Sequence, residues 1–259
     1  MLTRLQSVAI IVCLLYVPQF TYALSRRLAL NKRSSDLTYL HSNTKLRISL
    51  KPNETRIARY NSIVVSCEVD GRLYPTIHWL KNGERVQQGT SLDVQGDAAF
   101  ENAVCKDQPR LQLTLVKSML YIDCITEETE YTCVGETRFA RVNQSLRVFI
   151  DPGSSRDDCA QHNDEKPARI YMTTWVQLDY VGDTVRLYCR AEGKPTPTIT
   201  WHRSNNESIT NVGSYRIANN GDLIIVNPTW GNMDKYECKA DNGVGSDTAQ
   251  SFFYPLLST

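Results

Sequence analysis

One spacing occurs twice in this chain and constrains its fold more than any other feature. Cys67 is followed twelve residues later by Trp79, and Cys189 by Trp201 at the same interval. A second cysteine closes each copy, Cys133 and Cys238, with Tyr131 and Tyr236 two residues before it. The flanking segments alternate, as in Ile63-Val-Val-Ser-Cys-Glu-Val69 and Thr184-Val-Arg-Leu-Tyr-Cys189, which is the period-two signal of half-buried strands. In a β-sandwich such cysteines sit on opposing sheets and meet in the core, with the tryptophan packed against their bond. The pairings Cys67–Cys133 and Cys189–Cys238 follow, each worth roughly 4 kcal/mol in the chain-entropy model of a long closed loop. Trp79 and Trp201 are expected in the cores, and Tyr131 and Tyr236 hold the position from which a hydroxyl fastens the turn between sheets.

The rest of the chain organises around this repeat. Met1-Leu-Thr-Arg4, ten apolar residues from Val8 to Val17, and Phe20-Thr-Tyr-Ala23 have the order of a signal peptide cleaved after Ala23. Ten residues are about half of the ~20 that span a bilayer, so membrane insertion is not expected. Residues 24–45 form a basic leader with a dibasic pair at Lys32-Arg33. An all-β reading then gives a first sandwich over 46–150, a linker over 151–167 opened by Asp151-Pro-Gly-Ser-Ser155, and a second sandwich over 168–257. Arg4 is the only charge in the signal peptide, so the mature chain carries 28 basic and 28 acidic side chains. That neutrality argues against a nucleic-acid partner, which demands a basic excess.

Cys13 leaves with the signal peptide, and seven cysteines remain. A secretory route makes disulfides the default state of most of them. Beyond the two framework pairs stand Cys105, Cys124 and Cys159. Cys124, nine residues before Cys133, falls at the turn where the chain exits the first sandwich, and Cys159 lies in the linker leaving that end. This favours Cys124–Cys159, with Cys105 free or intermolecular; Cys105–Cys159 is the alternative, since either needs Cα atoms within ~7 Å. A Cys124–Cys159 bond would clamp the linker against the first sandwich and stiffen the joint.

No reactive constellation accompanies the framework. His41, His78, His162 and His202 lack metal-ligand spacing, no nucleophile elbow or phosphate loop occurs, and neither a catalytic residue, a metal nor a cofactor is expected. His78 and His202 adjoin core tryptophans, so alternation turns them outward as surface histidines. Sequons at Asn53, Asn143 and Asn206 would direct glycans to solvent. Such a chain works by binding, through a sheet edge or an apolar sheet face, and the aromatic Phe252-Phe-Tyr254 is a candidate part of that face with at least one ring expected in the core.

Gly193-Lys-Pro-Thr-Pro197, Asn220-Gly-Asp-Leu223 and Ala240-Asp-Asn-Gly-Val-Gly245 resemble intermediate-set immunoglobulin domains of cell-adhesion and axon-guidance proteins. That set commonly has Asp six residues and Gly four residues before the second cysteine. Asn232 and Asp234 stand there instead, which removes the acid that would pair with Arg216 and leaves Asn232 able to accept a hydrogen bond. The first repeat departs further, with Glu127 and Thr129 at those positions. The layout of two such domains, with Trp230 to Gly245, Asp247-Thr-Ala249 and Phe253-Tyr-Pro255, resembles over residues 46–257 the secreted Zig ("zwei Ig") family of nematodes and the related insulin-binding neural and ectodermal development factor of insects. The Zig resemblance implies a non-enzymatic protein of the nervous system that holds axons in place in the ventral nerve cord, through an extracellular protein ligand or a neuronal cell-surface receptor. The insect resemblance implies capture of insulin-like peptides and damped insulin signalling.

Overall fold

The computed structural model describes residues 45–52, 54–72, 74–89, 112–137, 139–155, 159 and 165–257. The expected signal peptide, nearly all of the basic leader, Cys105 and Asn53 lie outside them.

The first half contributes β1 (Arg47–Lys51), β2 (Glu54–Arg59), β3 (Ile63–Gly71), β4 (Thr76–Lys81), β5 (Glu84–Arg85), β6 (Leu113–Ile122), β7 (Thr129–Glu136) and β8 (Arg141–Ser155). The second contributes β9 (Lys166–Tyr180), β10 (Val185–Leu187), β11 (Cys189–Lys194), β12 (Thr198–His202), β13 (Ser208–Ile209), β14 (Tyr215–Ile217), β15 (Leu223–Ile225), β16 (Asp234–Asp241) and β17 (Ser246–Leu256). Alternation drives the layering: along β3 the buried positions are Val65, Cys67, Val69 and Gly71, every second residue.

In each half the framework cysteines are joined across the core, Cys67 to Cys133 and Cys189 to Cys238. Trp79 is in register with Cys133 and Trp201 with Cys238, so each indole lies beside its bond, fully buried. A buried indole N–H needs an acceptor. Trp79 Nε1 donates to Ser118 Oγ at 2.9 Å, and Trp201 Nε1 to the Gly221 carbonyl at 2.8 Å. Gly221 must be glycine on two counts: its φ is +94°, and a Cβ there would lie 2.7 Å from the Cys189 carbonyl oxygen. Tyr236 donates its hydroxyl to the Asn232 carbonyl at 2.7 Å, tying the turn to β16. Tyr131 is buried in the first core.

The two halves do not sit as separate sandwiches on either side of an elbow. β6 pairs antiparallel with β9, Leu113 opposite Leu178 through Ser118 opposite Met172, and one sheet runs β1-β3-β6-β9-β17-β16-β12-β13 through both halves. In an immunoglobulin sandwich the edge of strand E belongs to strand D; here β9 of the second half occupies that edge of β6. The opposing layers are a five-stranded sheet, β2-β8-β7-β4-β5, and a three-stranded one, β10-β15-β14.

The joint differs from the sequence expectation in its bounds as well. β8 continues through Asp151-Pro-Gly-Ser-Ser155, where a linker was expected to begin, and β2 pairs with it in parallel as far as Ala58 opposite Asp151 and again, after a register shift, at Arg59 opposite Ser155. β9 starts at Lys166, two residues before the expected domain start.

Candidate binding surface

Strand register defines the open face of the long sheet at the seam between the halves. Leu113 lies opposite Leu178 and Leu115 opposite Val176, and on the other side of β9 Val176 lies opposite Phe252 and Leu178 opposite Tyr254. Cross-strand partners share a face. The intervening residues Thr114, Gln177 and Phe253 are buried, so the apolar partners point outward. None of these outward residues belongs to either hydrophobic core.

A bulge in the β6–β9 ladder falls at Trp175, between Thr174 opposite Val116 and Val176 opposite Leu115. Bulges re-aim side chains, and this one leaves Trp175 56% exposed in mid-strand. Phe252 is 40% and Tyr254 36% exposed, and Trp230, 47% exposed, meets Tyr254 edge to face at 5.5 Å between centroids. Of the Phe252-Phe-Tyr254 run, the middle ring is core and the outer two are surface. Four exposed aromatics around an apolar sheet face are the composition of an interaction site, where aromatic anchors dominate binding energy. Sequence reasoning missed Trp175, because a bulge leaves no mark in composition or alternation.

The seam is locked from beneath and at one end. Asp179 of β9 accepts from Tyr74 Oη at 2.6 Å and Gln112 Nε2 at 2.8 Å, both from the first half. Tyr74 is fully buried, and burial first, then the neighbouring Asp179 carboxylate, push its phenol pKa well above 10.0. Tyr121 donates to the Ile170 carbonyl at 3.1 Å, and burial, followed by Asp247, raises its pKa to about 12. At the start of β9, Asp123 pairs with Arg169 and with Lys166. Next to that cluster Cys124 is bonded to Cys159, Cα atoms 5.8 Å apart, so the chain entering β9 is tied covalently to the turn leaving β6.

The buried phenols set an alkaline limit. A group whose pKa is raised by folding contributes stability that is complete below its unfolded pKa and is lost as pH climbs through the folded value. For Tyr74 and Tyr121 the loss starts near pH 10 and is in progress through pH 12. Melting temperature recorded from about pH 8 to 11.5 should be flat to about 10 and then fall, and Tyr74→Phe should flatten the fall; an unchanged melt at the alkaline end of that range would contradict this account.

Other sequence-marked residues lie away from the seam. Arg216 donates to the carbonyls of Gly213 and Tyr215. Asn232 accepts from the Thr229 backbone N–H at 2.8 Å and donates to Tyr215 Oη at 3.0 Å, and Asp234 pairs with Arg203 at 2.7 Å. Burial opposes ionisation of Asp234, but hydrogen bonds from Ser204, Arg203 and the Lys235 N–H hold its pKa below the ordinary value. Lys81 pairs with Glu127 at the end of the first half. His78 points away from the core as expected, yet only 12% of its side chain is exposed, and its Nδ1 lies 3.3 Å from Glu136. Burial lowers its pKa against the pull of Glu136, with Arg85 and Arg141 adding to the lowering. It is a covered histidine, contrary to the surface reading. Asn143 is exposed on β8 in the five-stranded sheet, and Asn206 in the turn between β12 and β13, so neither sequon falls on the seam strands. Among the described residues no group of three or more His, Cys, Asp or Glu could hold a metal.

Comparison with known proteins accounts for this architecture. The immunoglobulin I-set model matches residues 177–253. The Zwei Ig domain protein zig-2 of Caenorhabditis elegans is 30% identical over 222 residues, 85% of this chain and 89% of its own. The chain belongs to the Zig family of two-immunoglobulin-domain proteins. The neural/ectodermal development factor IMP-L2 of Drosophila melanogaster is 32% identical over 80% of this chain and 75% of its own. A crystal structure of IMP-L2 superposes with a TM-score of 0.66 at 29% identity, covering 83% of this chain and 96% of that one. As a Zig-family protein the chain is a non-enzymatic binding protein, and the three disulfides among the described residues fit an oxidising compartment.

Proposed function

We propose that the Zig-family chain is secreted after loss of residues 1–23 and acts outside cells of the nervous system to maintain axon position in the ventral nerve cord. The seam face is its contact surface, for an extracellular protein ligand or a neuronal cell-surface receptor. The observation that carries the proposal is the cluster of Trp175, Phe252 and Tyr254 on an apolar face that neither core uses. The test is capture of extracellular partners by the wild-type chain and by Trp175→Ser, paired with axon positions in animals lacking the gene. Partners retained unchanged by the variant would remove the seam face, and axons that stay in place throughout life would remove the maintenance role.

A second reading, a soluble binder of insulin-like peptides that antagonises insulin signalling, is supported by the similarity to IMP-L2 across both domains. It falls if purified protein shows no saturable affinity for any insulin-like peptide of the same animal.

A further inference from the structure

The seam face has a symmetry that a partner of unrelated shape would not require. One row of registered residues crosses five strands, Asp70 on β3, Leu115 on β6, Val176 on β9, Phe252 on β17 and Lys235 on β16. β9 is the middle strand of the five, with two neighbours on each side. Beyond Asp70 the row continues to Arg47 on β1, so it carries the Arg47–Asp70 pair at one end, Lys235 at the other and apolar residues between.

We propose that this face pairs with the same face of a second copy, about a two-fold axis lying along β9. This rests on the reading of the seam as the contact surface and adds a regulation of it, because the paired state hides the face from any other ligand. A two-fold axis in the plane between two stacked sheets carries each half of one copy over the opposite half of the other. β3 then faces β16 and β6 faces β17. Asp70 of each copy meets Lys235 of the other, Leu115 meets Phe252, and Val176 meets itself on the axis. Isologous interfaces have this reciprocal form, and opposed charges at the rim fix the register.

Charge and area are compatible with the pairing. Among the described residues Asp70 pairs with an exposed Arg47, Nε at 3.7 Å from its Oδ2, a contact loose enough to admit a second cation. The mature chain has no net charge to repel a copy of itself. An aromatic side chain buries about 150–250 Å², so the partly exposed Trp175, Phe252, Tyr254 and Trp230 supply on the order of half of the ~800 Å² that each partner of a standard interface covers. The rows beside them extend the contact. Affinity in the micromolar range is expected rather than obligate dimerisation.

The test is sedimentation velocity of the full secreted chain from about 0.1 to 100 μM, a range that brackets a micromolar constant. Wild type should pass from monomer to dimer. Val176→Arg places like charges on the axis and should weaken pairing at least tenfold, while Val212→Arg, at an exposed apolar site off the seam strands, should not. Asp70→Lys and Lys235→Glu should each weaken pairing by setting like charges against each other. The double variant should restore it, because both ends of the row are then reversed and opposite charges face each other again. Near-UV circular dichroism checks that each variant is folded. A wild type that stays monomeric at the top of the range, a dimer indifferent to Val176→Arg, or single charge reversals without rescue in the double variant would overturn the proposal. Partner capture distinguishes the two readings: a monomeric wild type whose captured partners are lost in Val176→Arg would leave the binding reading standing and end self-association.

Discussion

Replacing Asp222 with alanine should destabilise the protein by about 3–5 kcal/mol, the penalty for leaving buried charge uncompensated. Asp222 is completely buried, and its carboxylate takes Arg186 Nη2 at 2.8 Å and Arg190 Nη2 at 2.9 Å, with the Cys189 N–H on its other oxygen at 3.1 Å. Both guanidiniums also lie over the Tyr188 ring, at 5.4 and 4.8 Å from its centroid. Removing the acid takes a shared carboxylate away from two cations with almost no access to water. The loss is a large fraction of the ~5–15 kcal/mol that stabilises a typical domain, so secretion should fall sharply and the denaturation midpoint with it. Exchanging the whole triad for packed apolar side chains should recover much of the loss, since a buried ion pair is itself close to neutral. An Asp222→Ala protein within about 1 kcal/mol of wild type in a denaturant melt would show that the triad is hydrated rather than buried.

This triad shows where sequence reasoning stops. The framework cysteines, tryptophans and tyrosines were legible because their spacing follows from the geometry of one sandwich, and Phe253 went to the core as at least one ring of its run was expected to. Alternation along Thr184 to Cys189 points Arg186 and Tyr188 outward, yet Val185 through Arg190 are all buried. The pattern shows which face of a strand is apolar but cannot name what covers the other face. β9 carries apolar residues on both of its faces, in Ile170-Tyr-Met172 and Trp175-Val-Gln-Leu178, yet its outer face at Trp175 is open rather than covered. What β9 covers, the free edge of β6, lies some fifty residues earlier and leaves no mark in local periodicity.

Cut between the halves, the chain should behave asymmetrically. A fragment of residues 45–155, carrying Cys124→Ser because its partner Cys159 is lost with the cut, should fail to fold cooperatively, and residues 165–257 should fold. Tyr171, Met172 and Tyr188 from the second half are buried members of the first core. At ~1.5–3 kcal/mol for each buried side chain, their loss removes about 5–9 kcal/mol, comparable with the ~5–15 kcal/mol that stabilises a domain. The same cut strips β9 from β6 and exposes a long unpaired edge, which invites aggregation. The second core, by contrast, draws every buried member from residue 168 onward and keeps its own disulfide. Thermal melts followed by near-UV circular dichroism decide the matter. A cooperative, concentration-independent transition in the 45–155 fragment would mean that the first sandwich is complete without β9, and that the joined sheet is a docking contact rather than a condition of folding.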